Sequence, residues 1–311
     1  MAVALPQGLS AWLADEQALV ARGALDAACQ SRLHEVPRGP VRGVVLMLHG
    51  FTAGPWQFDE LGPVLAEGGL LGFAARVVGH GATVAGERGP EESPDDLPRA
   101  KEVHRFVAWG ERALALARAL AEAHQVPLFL VGMSAGGAMA LDLLRIEGSP
   151  IERALLVAPL VQPKQWWLRQ FVRVLAALPL GAWLADRWRL SFRPPPPRAD
   201  HWRRPGHQRF WLGNVVALFA YARTVRGLPG AALAAPVQLV ATACDDRVSL
   251  PACRRLARSE GERHALYVFG RQQRVPHAML TAWENPDPHS RQVLFAIARD
   301  FLLDGRAHRR A

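Results

Sequence analysis

The chain predicts an α/β protein built on a doubly wound, mostly parallel sheet that is interrupted by one inserted helical segment. Three observations carry this. Short apolar runs alternate with Ala/Leu-rich helical stretches through residues 43–158, giving the order β-α-β-α-β-α-β. The run Gly43-Val-Val-Leu-Met-Leu48 is apolar throughout, as a central strand buried on both faces requires. The rhythm stops at Pro159 and resumes at Pro236, with no strand evident between them.

Taken in order, residues 1–40 form a helical extension packed on the core. Residues 9–29 read as one amphipathic helix, with Ser10 as its N-cap. The core comprises residues 41–158 and 236–311. Its first half has strands at 43–48, 73–78, 128–131 and 153–158, and helices at 56–67, 101–123 and 137–146. The polar, Pro-containing residues 86–98 read as an exposed loop. The second half has strands at 236–242 and 264–269, helices at 250–259 and 290–303, and a basic tail from 305 that should fray.

Residues 159–235 form a helical lid over the C-terminal strand ends. This segment holds Trp166, Trp167, Trp183, Trp188, Trp202 and Trp211, and the run Pro194-Pro-Pro-Pro197. These tryptophans either line an apolar pocket or build the insertion's own core.

Bulk composition narrows the functional classes. At 311 residues the chain can bury one large core, and half of its residues are hydrophobic. The net charge of +9 comes mainly from arginines scattered over helices and the tail. No aromatic-interleaved basic strip stands out, which argues against a nucleic-acid partner but leaves room for a weak attraction to anionic membranes. Cys29, Cys244 and Cys253 make neither a C-x-x-C pair nor a zinc spacing. The first residues lack a basic region followed by a long apolar one, so the expected compartment is the cytoplasm.

Chemistry concentrates at Gly132-Met-Ser-Ala-Gly136. A G-x-S-x-G placed between a buried-strand pattern and a helix describes a tight turn that lifts the Ser134 hydroxyl out of the sheet. Serine needs a base, and the base needs a carboxylate. In a doubly wound sheet such groups follow the C-terminal strand ends. His277 follows the strand at 264–269. Asp245 and Asp246 follow the strand ending at Thr242, and the run Asp246-Arg-Val-Ser-Leu-Pro251 fits the acid better than a frame begun on Asp245. His264 and His289 read as surface residues, and His80 as a structural loop residue. Two main-chain donors should face an oxyanion: the N–H of Ala135 and that of Phe51, in the loop after the strand at 43–48.

His49-Gly-Phe-Thr, Gly79-His-Gly81, Gly132-Met-Ser-Ala-Gly136, Asp246-Arg-Val and His277 occur in the order of a known family. The chain resembles the α/β-hydrolases of the carboxylesterase and monoacylglycerol-lipase branch, sometimes grouped with serine aminopeptidase-like hydrolases. The likeness spans residues 43–304, except the lid. Two departures are Val275-Pro before His277 and the doubled aspartate. The resemblance implies hydrolysis of medium-chain esters or monoacylglycerols through an acyl-serine, with a Ser134-Asp246-His277 triad and neither metal nor organic cofactor. The same residues would serve a thioesterase or acyltransferase. A non-catalytic ligand-binding protein of this fold is the rival, and its usual mark is a lost triad member.

Overall fold

The computed structural model describes residues 5–86, 89–178, 180–191, 205–227, 233–259 and 263–310. Trp202 and the run Pro194–Pro197 lie outside the described residues.

The chain begins with α1 (Gln7–Ala21), shorter than the expected single helix because Gly23 turns the backbone at φ 70°. Ser10 lies inside α1, and Pro6 occupies the cap. The buried Glu16 accepts from the Ser31 N–H at 2.6 Å and from Arg76 Nε at 2.8 Å, which fastens α1 to the sheet. A short strand not anticipated from the sequence, β1 (Arg32–His34), then pairs antiparallel with β3 (Leu70–Ala75). Between them lie β2 (Gly43–Leu48), a 3-10 turn (Pro55–Phe58) and α2 (Leu61–Glu67).

The stretch read as an exposed loop, 86–98, contains β5 (Gly89–Glu92), which pairs antiparallel with β4 (Thr83–Gly86) at its start, and buries Leu97. Next come α3 (His104–His124), β6 (Leu128–Met133), α4 (Ala135–Leu143) and β7 (Ile151–Val157). The insertion contributes α5 (Trp166–Ala177), α6 (Gly181–Ala185), a small antiparallel pair of β8 (Arg189–Ser191) with β9 (Arg209–Trp211), and α7 (Leu212–Gly227). The pair was not evident in the sequence, because its three-residue strands are too short to show alternation. Finally β10 (Val237–Thr242), α8 (Leu250–Ser259), β11 (His264–Phe269) and α9 (Pro288–Asp304) complete the core.

The main sheet has seven strands in the order β1-β3-β2-β6-β7-β10-β11, parallel except for β1. Its central strands β2, β3 and β6 read as unbroken apolar runs because helices cover both faces. In β2, Val44, Leu46 and Leu48 join the apolar layer under α3 and α4, while Val45 and Met47 join the layer under α2 and α9. Helix α7 belongs to the first of these layers: Ala217, Leu218 and Tyr221 are buried there, and Tyr221 Oη donates to Asp142 of α4 at 2.7 Å. The tail is docked rather than frayed. Arg310 N donates to Leu266 O and Val268 N to Arg310 O, which covers the open edge of β11.

Sequence order reverses between β2 and β6, which lie side by side with Leu48 opposite Gly132. Such a switch point leaves a crevice beyond the strand ends. The loop after β2 and the turn after β6 both open there.

Candidate active site

Ser134 is the hinge between β6 and α4, at φ 51° and ψ −110°. A non-glycine residue in this region costs about 1–3 kcal/mol and persists only where its surroundings fix it. Here the Ser134 N–H donates to Val157 O at 2.9 Å, and its carbonyl accepts from Leu160 N at 2.8 Å. Gly136 shows why the turn needs glycine: a Cβ there would stand 1.9 Å from the carbonyl oxygen of Leu48. Helix α4 therefore starts against the end of β2, with its positive pole at the serine.

His277 Nε2 lies 2.9 Å from Ser134 Oγ, and its Nδ1 lies 2.8 Å from Asp245 Oδ2. The carboxylate on the histidine is thus Asp245, not Asp246 as the reading of the loop expected. The reason is local. After β10 the chain turns with Asp245 N donating to Thr242 O, and Asp245 Oδ1 accepts from the N–H groups of Arg247 and Val248 at 2.8 and 2.7 Å. Those bonds orient the carboxylate inward and leave Oδ2 for His277. One residue on, Asp246 points outward, with its side chain 67 % exposed and paired to Arg247, against 5 % for Asp245. Lys164 Nζ caps the Asp245 carbonyl, and Gln165 Nε2 caps that of Asp246 at 2.7 Å. Thr242 ties both loops together: its hydroxyl donates to Val275 O at 2.7 Å and accepts from Cys244 N at 3.1 Å.

The loop after β2 stands across from the serine. A Cβ on Gly50 would lie 3.5 Å from Ser134 Cβ. Among the described residues, the N–H groups of Phe51 and Ala135 make no hydrogen bond within the protein. Two groups that the sequence reading missed hold this loop. Gln57 Oε1 accepts from Gly50 N at 2.8 Å, and Gln57 Nε2 donates to Glu284 at 2.9 Å. Glu284 sits seven residues past His277, so one buried amide spans the two sides of the site. The only signal in the sequence was a polar residue inside the apolar stretch Pro55-Trp-Gln-Phe58.

Three buried histidines lie behind Phe51. The ring of His80 is 4.9 Å from that of His49 and 5.9 Å from that of His207. His49 Nε2 accepts from Val77 N at 3.0 Å, so its proton resides on Nδ1, which reaches Gly50 O at 2.9 Å. His80 bonds Val78 O, in keeping with a structural role. His207 comes from the insertion and meets Gly81 N and Gly79 O, each at 3.1 Å. Burial drives the pKa of His80 well below the ordinary imidazole value, helped by its histidine neighbours, and burial lowers that of His207. His264, expected at the surface, is instead buried, its Nδ1 accepting from Val237 N at 3.0 Å, whereas His289 is exposed.

The described tryptophans of the insertion line no groove in this structure, one of the two roles expected of them. Trp166, Trp167, Trp183 and Trp188 face solvent, and Trp211 donates its Nε1–H to Asp95 at 2.9 Å. A groove does open between α5, α7 and the loop after β7, lined by Val161, Val172, Val216 and Phe219, with Arg169 and Arg173 among its polar residues. No cluster of three or more metal-ligating side chains occurs among the described residues. No described helix is long and apolar enough to cross a membrane.

The sequence profile of the family described as serine aminopeptidase, S33, matches residues 39–210, more than half of the chain. The chain therefore belongs to this family of α/β-hydrolases. No curated protein matches the sequence itself. Among solved structures, it is similar to a soluble variant of monoglyceride lipase from Saccharomyces cerevisiae in complex with a substrate analog, with a TM-score of 0.65 and 16 % identity over 90 % of this chain and 92 % of that one. A structure reported with the metagenome-derived lipolytic enzymes LipS and LipT gives 0.63 and 17 % over 90 % and 99 %. Monoacylglycerol lipase from Paleococcus ferrophilus gives 0.61 and 17 % over 89 % and 98 %. At these identities the likeness establishes the fold.

Proposed function

We propose that the protein hydrolyses carboxylic esters through an acyl-serine intermediate, with Ser134, His277 and Asp245 as its triad. The observation that carries this is the continuous hydrogen-bonded chain from Ser134 Oγ through both imidazole nitrogens to Asp245. In this reading His277 Nε2 takes the Ser134 proton as Oγ attacks the ester carbonyl, and passes it to the departing alcohol. Asp245, fixed by two main-chain N–H groups, holds the Nδ1–H tautomer and stabilises the imidazolium. The N–H groups of Phe51 and Ala135 receive the oxyanion, a contribution of roughly 3–4 kcal/mol for each donor of this kind. Water, deprotonated by His277, then releases the acid and restores Ser134.

Medium-chain acyl esters or monoacylglycerols are the substrates we favour. The apolar groove between α5 and α7 begins at Val161, just after Leu160 whose N–H is bonded to the Ser134 carbonyl, and supports an apolar acyl group as the substrate feature. Two of the structural neighbours are monoglyceride or monoacylglycerol lipases. Aminopeptidase action is less well supported. An α-ammonium needs carboxylates, and the described part of the insertion holds only Asp186, whose pKa is raised by desolvation. Asp200, its other acidic residue, lies outside the described residues.

The test is labelling with a fluorophosphonate and mapping the adduct by mass spectrometry, followed by a panel of p-nitrophenyl esters of increasing chain length. A single adduct on Ser134 with turnover is the expected result. A folded protein that neither labels nor turns over any ester defeats the proposal and favours a ligand-binding role.

A further inference from the structure

We infer that the outer face of α5 and α6 docks in the plane of an anionic lipid bilayer. Helix α5 already has a core side: Val172 and Leu175 are buried with Ala185, Leu212 and Val216. A neighbouring side is apolar too. Trp167, Phe171, Val174 and Leu178 stand at i, i+4, i+7 and i+11, a single stripe, and all four are exposed. Leu180, Trp183, Leu184 and Trp188 continue that exposed apolar surface through α6. Nine of the twelve exposed large hydrophobic residues described in the chain fall between Trp166 and Trp188. Such concentration marks an interaction surface rather than the scatter normal on a soluble protein.

Charge selects the occupant. Arg187 and Arg189 are exposed beside Trp183 and Trp188, with Asp186 as the one described carboxylate between Lys164 and Ser191, whereas Arg169 and Arg173 line the groove between α5 and α7 and Lys164 is held at the Asp245 carbonyl. Arg187 lies over the Trp183 ring at 4.2 Å, so cation and indole share the surface. A symmetric dimer through this face would set the same arginines against their own images with little to neutralise them. An anionic bilayer instead offers phosphates to the guanidinium groups and an apolar layer to the stripe, while indole rings suit the headgroup boundary. The attachment lies in the plane, because no described helix can span. Its place also has consequence for the site: Lys164 and Gln165, immediately before α5, hold the main-chain carbonyls of Asp245 and Asp246.

The experiment is co-sedimentation of the full chain with phosphatidylcholine vesicles and with vesicles of phosphatidylcholine and phosphatidylglycerol, at about 50 and about 500 mM NaCl. It needs no substrate, so it stands or falls apart from the proposed activity. The expected result is binding to the anionic vesicles that weakens at least roughly fivefold at high salt. The triple variant Trp167→Ala/Phe171→Ala/Trp183→Ala should lose at least tenfold in partitioning, and Arg187→Glu/Arg189→Glu a similar amount at low salt. All five positions are exposed or carry a long surface side chain, and circular dichroism checks that each variant is folded. Equal binding to both vesicle types, no binding, or unchanged partitioning of the triple variant overturns the inference. So does a concentration-dependent dimer, seen by light scattering without lipid, that the triple variant abolishes; that outcome gives the face to a second copy.

Discussion

Around Ser134 the side chains and the strained turn are held by several hydrogen bonds, whereas α5 and α6 turn tryptophans to solvent with little to hold them. Ser134 is fixed through its hydroxyl, N–H and carbonyl, Asp245 through both carboxylate oxygens, and Gly50 through Gln57. The exposed stripe of α5 has no such constraints; its side chains are free to serve a surface outside the molecule. The difference teaches where substitution should hurt. In the first region one lost atom leaves a buried partner unsatisfied, while in the second it removes exposed area.

The largest effect tests the first region directly. Ser134→Ala should lower ester turnover by about 10⁴-fold or more while near-UV circular dichroism stays native. Turnover within tenfold of wild type would remove Ser134 from the chemistry. Next, Asp245→Asn should cost about 10³- to 10⁴-fold in kcat, since the wrong imidazole tautomer is then favoured. Asp246→Asn should stay within about twofold, as expected of an exposed carboxylate. Reversal of that order would show that the loop is misread.

A smaller effect sharpens the boundary between the regions. Gln57→Leu leaves the Gly50 N–H unpaired and loosens the loop that carries Phe51. The drop in kcat should be about 10- to 100-fold, less than for outright loss of an oxyanion donor. Steady-state kinetics should show it in kcat more than in KM.

The histidine cluster gives a pH dependence whose sign is set by burial. His80 and His207 have native pKa values below the ordinary 6.5. Below about pH 6.5 the unfolded chain therefore binds protons that the native chain refuses. Stability is complete above that pH and falls as pH drops toward the native values. Arg76 near His80 opposes protonation there, while Asp96 near His207 favours it. Thermal melts from about pH 8 to about pH 5 should show the decline, with a shallower slope in His207→Asn. A flat wild-type profile would remove the cluster as a stability determinant. At the bottom of the scale, Trp183→Ala should change hydrolysis of a soluble short-chain ester by less than about twofold.

The sheet was legible because its central strands are continuous apolar runs and its crossovers are helical. The meeting of Ser134 with His277 was legible because glycine spacing and strand ends fix where such residues lie. The acid was not, because a loop has no period: Asp245 and Asp246 differ by one position, and main-chain bonds to Arg247 and Val248 decide between them. A signal was present in Val248, three residues after Asp245 and buried, which anchors the turn. Gln57 and Glu284 lie far apart in sequence and meet only through tertiary packing. The tryptophans misled because composition gives number, not direction; only the exposure of Trp167 and Phe171 beside the burial of Val172 and Leu175 shows which way α5 faces.

The bent backbone at Ser134 also bears on how the molecule assembles. Besides Ala138 of its own helix, its main-chain partners are Val157 and Leu160, which come later in the chain, on and just after β7. The expectation is that the serine reaches φ 51° once β7 has docked beside β6, so that the elbow closes late in folding. Variants that relax it should slow unfolding and leave the folding rate nearly unchanged. Ser134→Gly, which accepts that backbone without strain, should accordingly outlast Ser134→Ala in denaturant although both are inert toward esters.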